Sequence, residues 1–338
     1  MPCARCCNTT DIERLRSAVQ LAQRADSCCE HQGVYEKLKA AGEGGKMLRL
    51  PVAAGIEVWT DPWNEAVQSP GASLWPAARI LSRHMLQTAD ALSGEGCAVL
   101  ELGAGTGAVS LALAAKGRCS VTLTDVSRTL PLIQLNVAYN ARRLKTHGQT
   151  IRAHVLPLHW GNRAEAAAAL QCASPSGFDI VVGADCAYDN EQHEPLLSTL
   201  TAVALGSHEG SVQQRTRAVL ALPDRGDGAI DSFIERSRRA GWAWETVTVI
   251  TAENCRREKA RLLRTIRVRA QAAAAHNRLR LWLARGQTAT STATLQSNIS
   301  YMRSALFGPR AAAEDLDVHV LEGRQINQRN MVPPLPTQ

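Results

Sequence analysis

Between Cys97 and Asp224 short apolar runs alternate with longer segments whose apolar residues recur every three or four positions. The runs CAVLEL (97–102), CSVTLTD (119–125), IRAHVLPL (151–158), FDIVVGAD (178–185) and TRAVLALPD (216–224) predict strands. Several of them are apolar without alternation, which suits parallel strands buried on both faces. The intervening segments 108–117, 130–144, 163–173, 194–205 and 230–241 predict helices. WETVTVI (244–250) and LRLWLAR (279–285) predict two more strands, and nothing requires a long crossover between them. They are expected as an antiparallel pair at the sheet edge. The fold class is therefore α/β: a Rossmann-like, mostly parallel sheet with helices on both faces and an antiparallel final strand.

The flanks read differently. Residues 1–50 predict a helical appendage, with a capping box at Thr10 and Glu13 opening a helix to about Ala25 and a second helix over His31–Ala41. IEVWT (56–60) predicts a short strand, and Trp75 with Pro76 opens a helix to about Ala91. The main domain is expected over 51–286. Its segment 251–277, charged and then alanine-rich, is expected as a helix or an elaborated hairpin connection, and 287–338 as a partly loosely ordered C-terminal extension.

Composition narrows the setting. Lys plus Arg number 38 against 31 Asp plus Glu, a net charge of +7 too modest to indicate nucleic acid. No run of 18 apolar residues suggests a membrane span. Ten cysteines without a secretory signal predict free thiols in a reducing compartment, cytoplasmic or nuclear. Cys3, Cys6, Cys7, Cys28 and Cys29 do not follow a zinc-ligand spacing, so no metal is expected.

The sharpest chemical signal is Glu101-Leu-Gly103-Ala-Gly105-Thr106-Gly107, placed between a strand and a helix. Glycine lets the backbone turn tightly and approach a ligand that a Cβ would repel. Asp125 ends the next strand, where a carboxylate takes both hydroxyls of a ribose. A dinucleotide fingerprint spaces its last two glycines three apart; here Gly105 and Gly107 are two apart. Glu101 would repel a pyrophosphate and suits a cationic ligand. S-adenosylmethionine, with a sulfonium and an ammonium, fits better than NAD. A phosphate-binding P-loop would require a G-K-[ST] ending, which is missing.

Four blocks in order, GASLWPAARILSRHM (71–85), VLELGAGTGAVSLALAAKG (99–117) with VTLTD (121–125), LPLHWG (156–161) and GADCAYDNEQHEPLLSTL (183–200), resemble the class I S-adenosylmethionine-dependent methyltransferases. More closely they resemble methyltransferase-like family 16, the protein lysine methyltransferases. The resemblance implies a seven-stranded sheet and cofactor contacts from Trp75, Glu101, Gly103, Gly105, Thr106, Gly107, Asp125, Trp160 and Asp185. It implies a substrate-side role for Asp185 and Tyr188, the ends of the family's acidic-x-x-aromatic motif. It also implies a protein substrate such as a chaperone or translation factor, and a monomer is expected. The competing readings are a nucleic-acid or small-molecule methyltransferase and a non-catalytic cofactor-binding module. Trp160 could stack on adenine or simply pack. Asp185 could orient an amine or cap the next helix. His159, beside Trp160, is expected to face solvent, and no general base is assigned.

Overall fold

The apolar stripe Leu15, Val19, Ala22 repeats at helical spacing and needs a partner face. In a computed structural model it lies on helix α1 (Ala4–Ala25), followed by α2 (Cys29–Glu43) and the antiparallel hairpin β1 (Leu48–Pro51) and β2 (Glu57–Thr60). The structure describes residues 4–88, 96–117, 119–175, 177–205, 216–250 and 317–325, with the backbone alone over 4–10, 247–250 and 317–325. α1 runs through the expected capping box rather than starting at it. Asp11 is instead bound from the side by Arg49 at 2.8 Å, and extending a formed helix costs little.

After α3 (Pro76–Gln87) the strand–helix alternation follows the sequence pattern. β3 (Cys97–Leu102) leads to α4 (Ala108–Ala114), and β4 (Cys119–Asp125) to α5 (Leu130–Lys145). β5 (Arg152–Pro157) precedes α6 (Arg163–Leu170), and β6 (Ile180–Ala184) precedes α7 (His193–Leu205). β7 (Arg217–Asp224), α8 (Ala229–Arg239), β8 (Trp242–Ile250) and β9 (Asp317–Gln325) complete it. The sheet has seven strands in the order β5-β4-β3-β6-β7-β9-β8. β3 to β7 are parallel, and β9 runs antiparallel to both β7 and β8.

The final strand is a correction. The segment 279–285, expected to pair with β8, lies outside the described residues, as do 251–277 and the tail after 325. The antiparallel strand is DVHVLEGRQ (317–325), inside the stretch assigned to a loose extension. The boundary at 286 therefore cuts through the sheet. β7 and β8 run in the same direction with a strand-wide gap between them, and only a strand entering that gap completes the ladder.

Strand alternation divides the core. Val99, Val121, Leu123 and Val182 face α3 and α4, while Leu100, Leu102, Val181 and Leu220 face α7 and α8. A third cluster joins Leu15, Val19, Tyr35 and Leu38 of the N-terminal helices to Leu132, Leu135 and Tyr139 of α5 and to Trp59. The N-terminal helices therefore share a core with the sheet domain, where the sequence pattern suggested an appendage.

Asn136 and Asn140, both fully buried, fix the hairpin to α5. Asn136 accepts from Trp59 N–H at 2.6 Å and donates to the Trp59 carbonyl at 3.0 Å. Asn140 donates to the Glu57 carbonyl at 2.7 Å. The two amides act toward β2 as a neighbouring strand would. The burial of Asn140 comes from this pairing.

Candidate active site

The carboxyl ends of β3, β4, β5 and β6 open onto one cleft of about 450 Å³, at the point where the strand order reverses direction. Open α/β sheets bind ligands at such a switch point. Its lining includes Trp75, Glu101, Gly103, Gly105, Thr106, Asp125, Trp160, Asp185 and Tyr188. Nine of the ten residues expected from the sequence are thus together. The tenth, Gly107, lies behind the loop, where a Cβ would come within 2.7 Å of Leu123 Cδ2.

The glycine loop is built on positive φ angles: 63° at Gly103, 55° at Gly105 and 74° at Gly107. What these glycines admit is partly the protein itself. A Cβ on Gly105 would stand 2.8 Å from the Gly71 carbonyl oxygen, and one on Gly103 would stand 3.2 Å from Trp160 Cζ2. The segment 68–73 therefore lies directly across the loop. It is held by Thr129 Oγ1 donating to Ser69 Oγ at 3.1 Å and by Trp75 Nε1 donating to the Pro70 carbonyl at 3.0 Å. The sequence reading gave this roof no role of its own, although its residues 71–73 open the block 71–85.

Glu101 is 2% exposed and accepts from the Ser110 N–H at 2.9 Å, at the first turn of α4. Burial pushes its carboxyl up to about 7 against the opposing pull of Ser110. Its charge is thus cheaply supplied by a cation and costly without one. Asp125 accepts from the Gly105 and Val126 N–H groups, each at 2.8 Å. Burial raises its carboxyl, opposed by those two backbone bonds. A carboxylate has about four acceptor positions, so room for a ribose hydroxyl is left. Thr106 is tied from behind, its carbonyl accepting from Asn136 Nδ2 at 3.0 Å.

Asp185 lines the cleft as expected, and it is paired within the protein. Its carboxylate, 8% exposed, accepts from Arg225 Nη2 at 2.8 and 2.9 Å. Burial raises its carboxyl and Arg225 opposes the rise. It caps no helix; Asp189 does, accepting from the Glu191 N–H at 2.9 Å. Arg225 was missed because it lies in a polar turn 40 residues downstream. Its position just after a strand end was the available signal. Cys186, buried beside Asp185, has its thiol pushed up to about 12 by burial first and Asp185 second, and stays protonated. Tyr188 is 49% exposed at the rim. His159 is exposed and bound to Glu165 at 3.1 Å. Among the described residues no cluster of His, Cys, Asp and Glu could hold a metal ion, and no helix is long and apolar enough to cross a membrane.

These residues suit S-adenosylmethionine. Glu101 and Asp125 supply carboxylates for cationic and hydroxyl groups, Trp160 a flat apolar wall, and the glycine loop a close backbone surface. A cleft of this size matches a cofactor of several rings and chains.

Residues 59–219 match the family model described as lysine methyltransferase. Protein N-lysine methyltransferase METTL21A of Mus musculus is 38% identical over 129 residues, covering 38% of this chain and 53% of that protein. METTL21A of Danio rerio is 33% identical over 135 residues, covering 40% and 56%. Protein N-terminal and lysine N-methyltransferase efm7 of Aspergillus fumigatus is 30% identical over 131 residues, covering 38% and 49%. The chain spans about half the length of the curated relatives it matches. The matched stretch runs from β2 through the strands β3 to β6 whose ends form the cleft, so the similarity to lysine methyltransferases lies in the part of the chain that builds the cleft.

Proposed function

We propose that this protein transfers a methyl group from S-adenosylmethionine to the side-chain amine of a lysine in another protein. The observation that carries the reading is the cleft at the ends of β3 to β6, lined by Glu101, Asp125 and Trp160 and roofed by the segment 68–73. The names of these relatives support a protein substrate. The finer expectations, a chaperone or translation factor as substrate, a monomeric enzyme and a cytoplasmic or nuclear setting, belong to the same proposal.

When bound, the cofactor supplies an electrophilic methyl group on a sulfonium. The residues of this chain hold and orient. Asp125 takes a ribose hydroxyl, Trp160 packs against the adenine, and Glu101 balances positive charge near the loop. Tyr188 offers a half-exposed ring against which the methylene stem of a lysine lies. The lysine must reach the site neutral, so its pKa of about 10.4 has to fall, or its proton has to leave through water. Nothing in the cleft is needed as a dedicated base; alignment in a dry site supplies the rate.

Incubating the protein and a cell extract with methyl-tritiated S-adenosylmethionine tests this. Label should appear in protease-sensitive, nuclease-resistant material and map to lysine by mass spectrometry. Label removed by nuclease would move the activity to nucleic acid. No label, together with no cofactor binding by calorimetry, would end the methyltransferase reading.

A further inference from the structure

The pairing of Asp185 with Arg225 bears on which form of the cofactor the cleft favours, and this rests on the cofactor reading proposed above. Asp185 follows β6 directly with φ at 55°, a left-handed backbone that disfavours any residue with a Cβ. Its N–H donates to the Ala221 carbonyl at 2.8 Å, which fixes the backbone against β7. Arg225 reaches its carboxylate from the turn between β7 and α8, so both strand ends are tied through one ion pair. The strained backbone persists because this pair and the Ala221 bond over-determine it.

The cleft is otherwise rich in negative groups. Glu101, Asp125, Asp185 and Asp189 line it, against Arg128 and His159. Asp185 itself lines the cleft, where salt screens less than in bulk water. A bare charge on Asp185 would therefore act on a ligand held against this wall of the cleft. S-adenosylmethionine is a sulfonium, and its demethylated product, S-adenosylhomocysteine, is a neutral thioether at the same sulfur. During transfer the positive charge leaves the sulfur. A fixed negative charge that holds the sulfonium binds the ground state more tightly than the transition state and slows the reaction.

We propose that Arg225 is a specificity-determining residue: by cancelling the charge of Asp185 it keeps the cleft from holding the sulfonium form over the neutral product. Arg225 lies beyond the stretch 59–219 that carries the family match, so its assignment comes from its contact with Asp185 alone.

The test is a pair of calorimetric titrations at pH 8, with S-adenosylmethionine and with S-adenosylhomocysteine, on the full chain and on R225Q and R225K. The dissociation constant for the sulfonium divided by that for the thioether should fall about ten-fold in R225Q. It should stay within about two-fold of the unmodified protein in R225K, which keeps the charge. The double variant D185N with R225Q, lacking both charges, should return toward the starting ratio. An unchanged ratio in R225Q that is folded by circular dichroism, or an equal shift in R225K, overturns the proposal. Should R225Q fail to fold, D185N alone decides: it leaves Arg225 uncancelled, the ratio should rise, and an unchanged ratio overturns the proposal. Failure of the unmodified protein to bind either ligand would sink the cofactor reading and the inference together. It is told apart from failure of the inference alone, in which both ligands bind and the ratio does not move.

Discussion

Replacing Gly105 by alanine puts a methyl group where the roof of the cleft already stands. The residue has φ at 55°, so a Cβ costs about 1–2 kcal/mol before any contact is counted. The new carbon would then lie 2.8 Å from the Gly71 carbonyl oxygen and 3.3 Å from the Gly71 Cα. Both are backbone atoms, and no side-chain rotation relieves them. Overpacking of this kind costs about 1–3 kcal/mol, so the loss of stability should be about 2–5 kcal/mol. The cheapest relief is to lift the segment 68–73 off Asp125, which spoils the cofactor pocket. Affinity for S-adenosylmethionine should fall at least ten-fold, the equivalent of about 1.4 kcal/mol. Gly103 is the internal control, because its Cβ would meet only the edge of Trp160 at 3.2 Å, a side chain able to move. Calorimetric titration and urea denaturation of G105A and G103A measure both effects. Gly71→Ala should be non-additive with G105A, since the two glycines face each other. Wild-type affinity in folded G105A, or a larger stability loss in G103A, would refute the reasoning.

Two further perturbations probe other parts of the argument. The folded-state pKa of Glu101 is raised to about 7, above an unfolded value of about 4.3, so its contribution to stability is fully present below that unfolded value and is lost as pH rises through 7. Urea denaturation from pH 4.5 to 8 should show wild type losing about 3 kcal/mol relative to E101Q, and parallel curves would show that Glu101 titrates normally in the fold. Removing residues 1–43 strips Leu15, Val19, Tyr35 and Leu38 from Leu132 and Leu135 of α5, so the truncated chain should melt at least about 5 °C lower or aggregate. An unchanged melting temperature would restore the N-terminal helices to the status of an appendage.

The elements legible in the sequence were those governed by local pattern. CAVLEL and FDIVVG read as buried parallel strands because their burial needs no alternation, and the glycine loop read as a ligand turn because its spacing and flanks are local. What escaped depends on contacts distant along the chain. Asn136 and Asn140 look like ordinary helix polar residues until β2 is laid beside them. Arg225 gains its meaning only when the ends of β6 and β7 become neighbours. The strand DVHVLEGRQ was not anticipated because it lies in a stretch whose surroundings read as a loose extension, and its place becomes clear only when the gap between β7 and β8 is seen. The cleft residues were identified, but Asp185 was read only as orienting an amine or capping a helix, because Arg225 lies 40 residues downstream.

The position of β9 also governs the order in which the sheet can be assembled. It lies between β7 and β8, yet it follows both in the chain, with residues 251–316 intervening. As the chain is synthesised, β8 emerges with no partner in the sheet and cannot join it until Gln325 has been made. During that interval the β7 edge carries unpaired N–H and C=O groups, the kind of edge that recruits foreign strands. Pairing β9 with β7 and β8 across residues 251–316 makes the final step non-local and therefore late, although the entropic cost of joining chain segments grows only slowly with their separation. Pulse-labelled hydrogen exchange would find β3 to β6 protected before β7, β8 and β9. A chaperone acting on this protein would have its longest opportunity at the β7 edge.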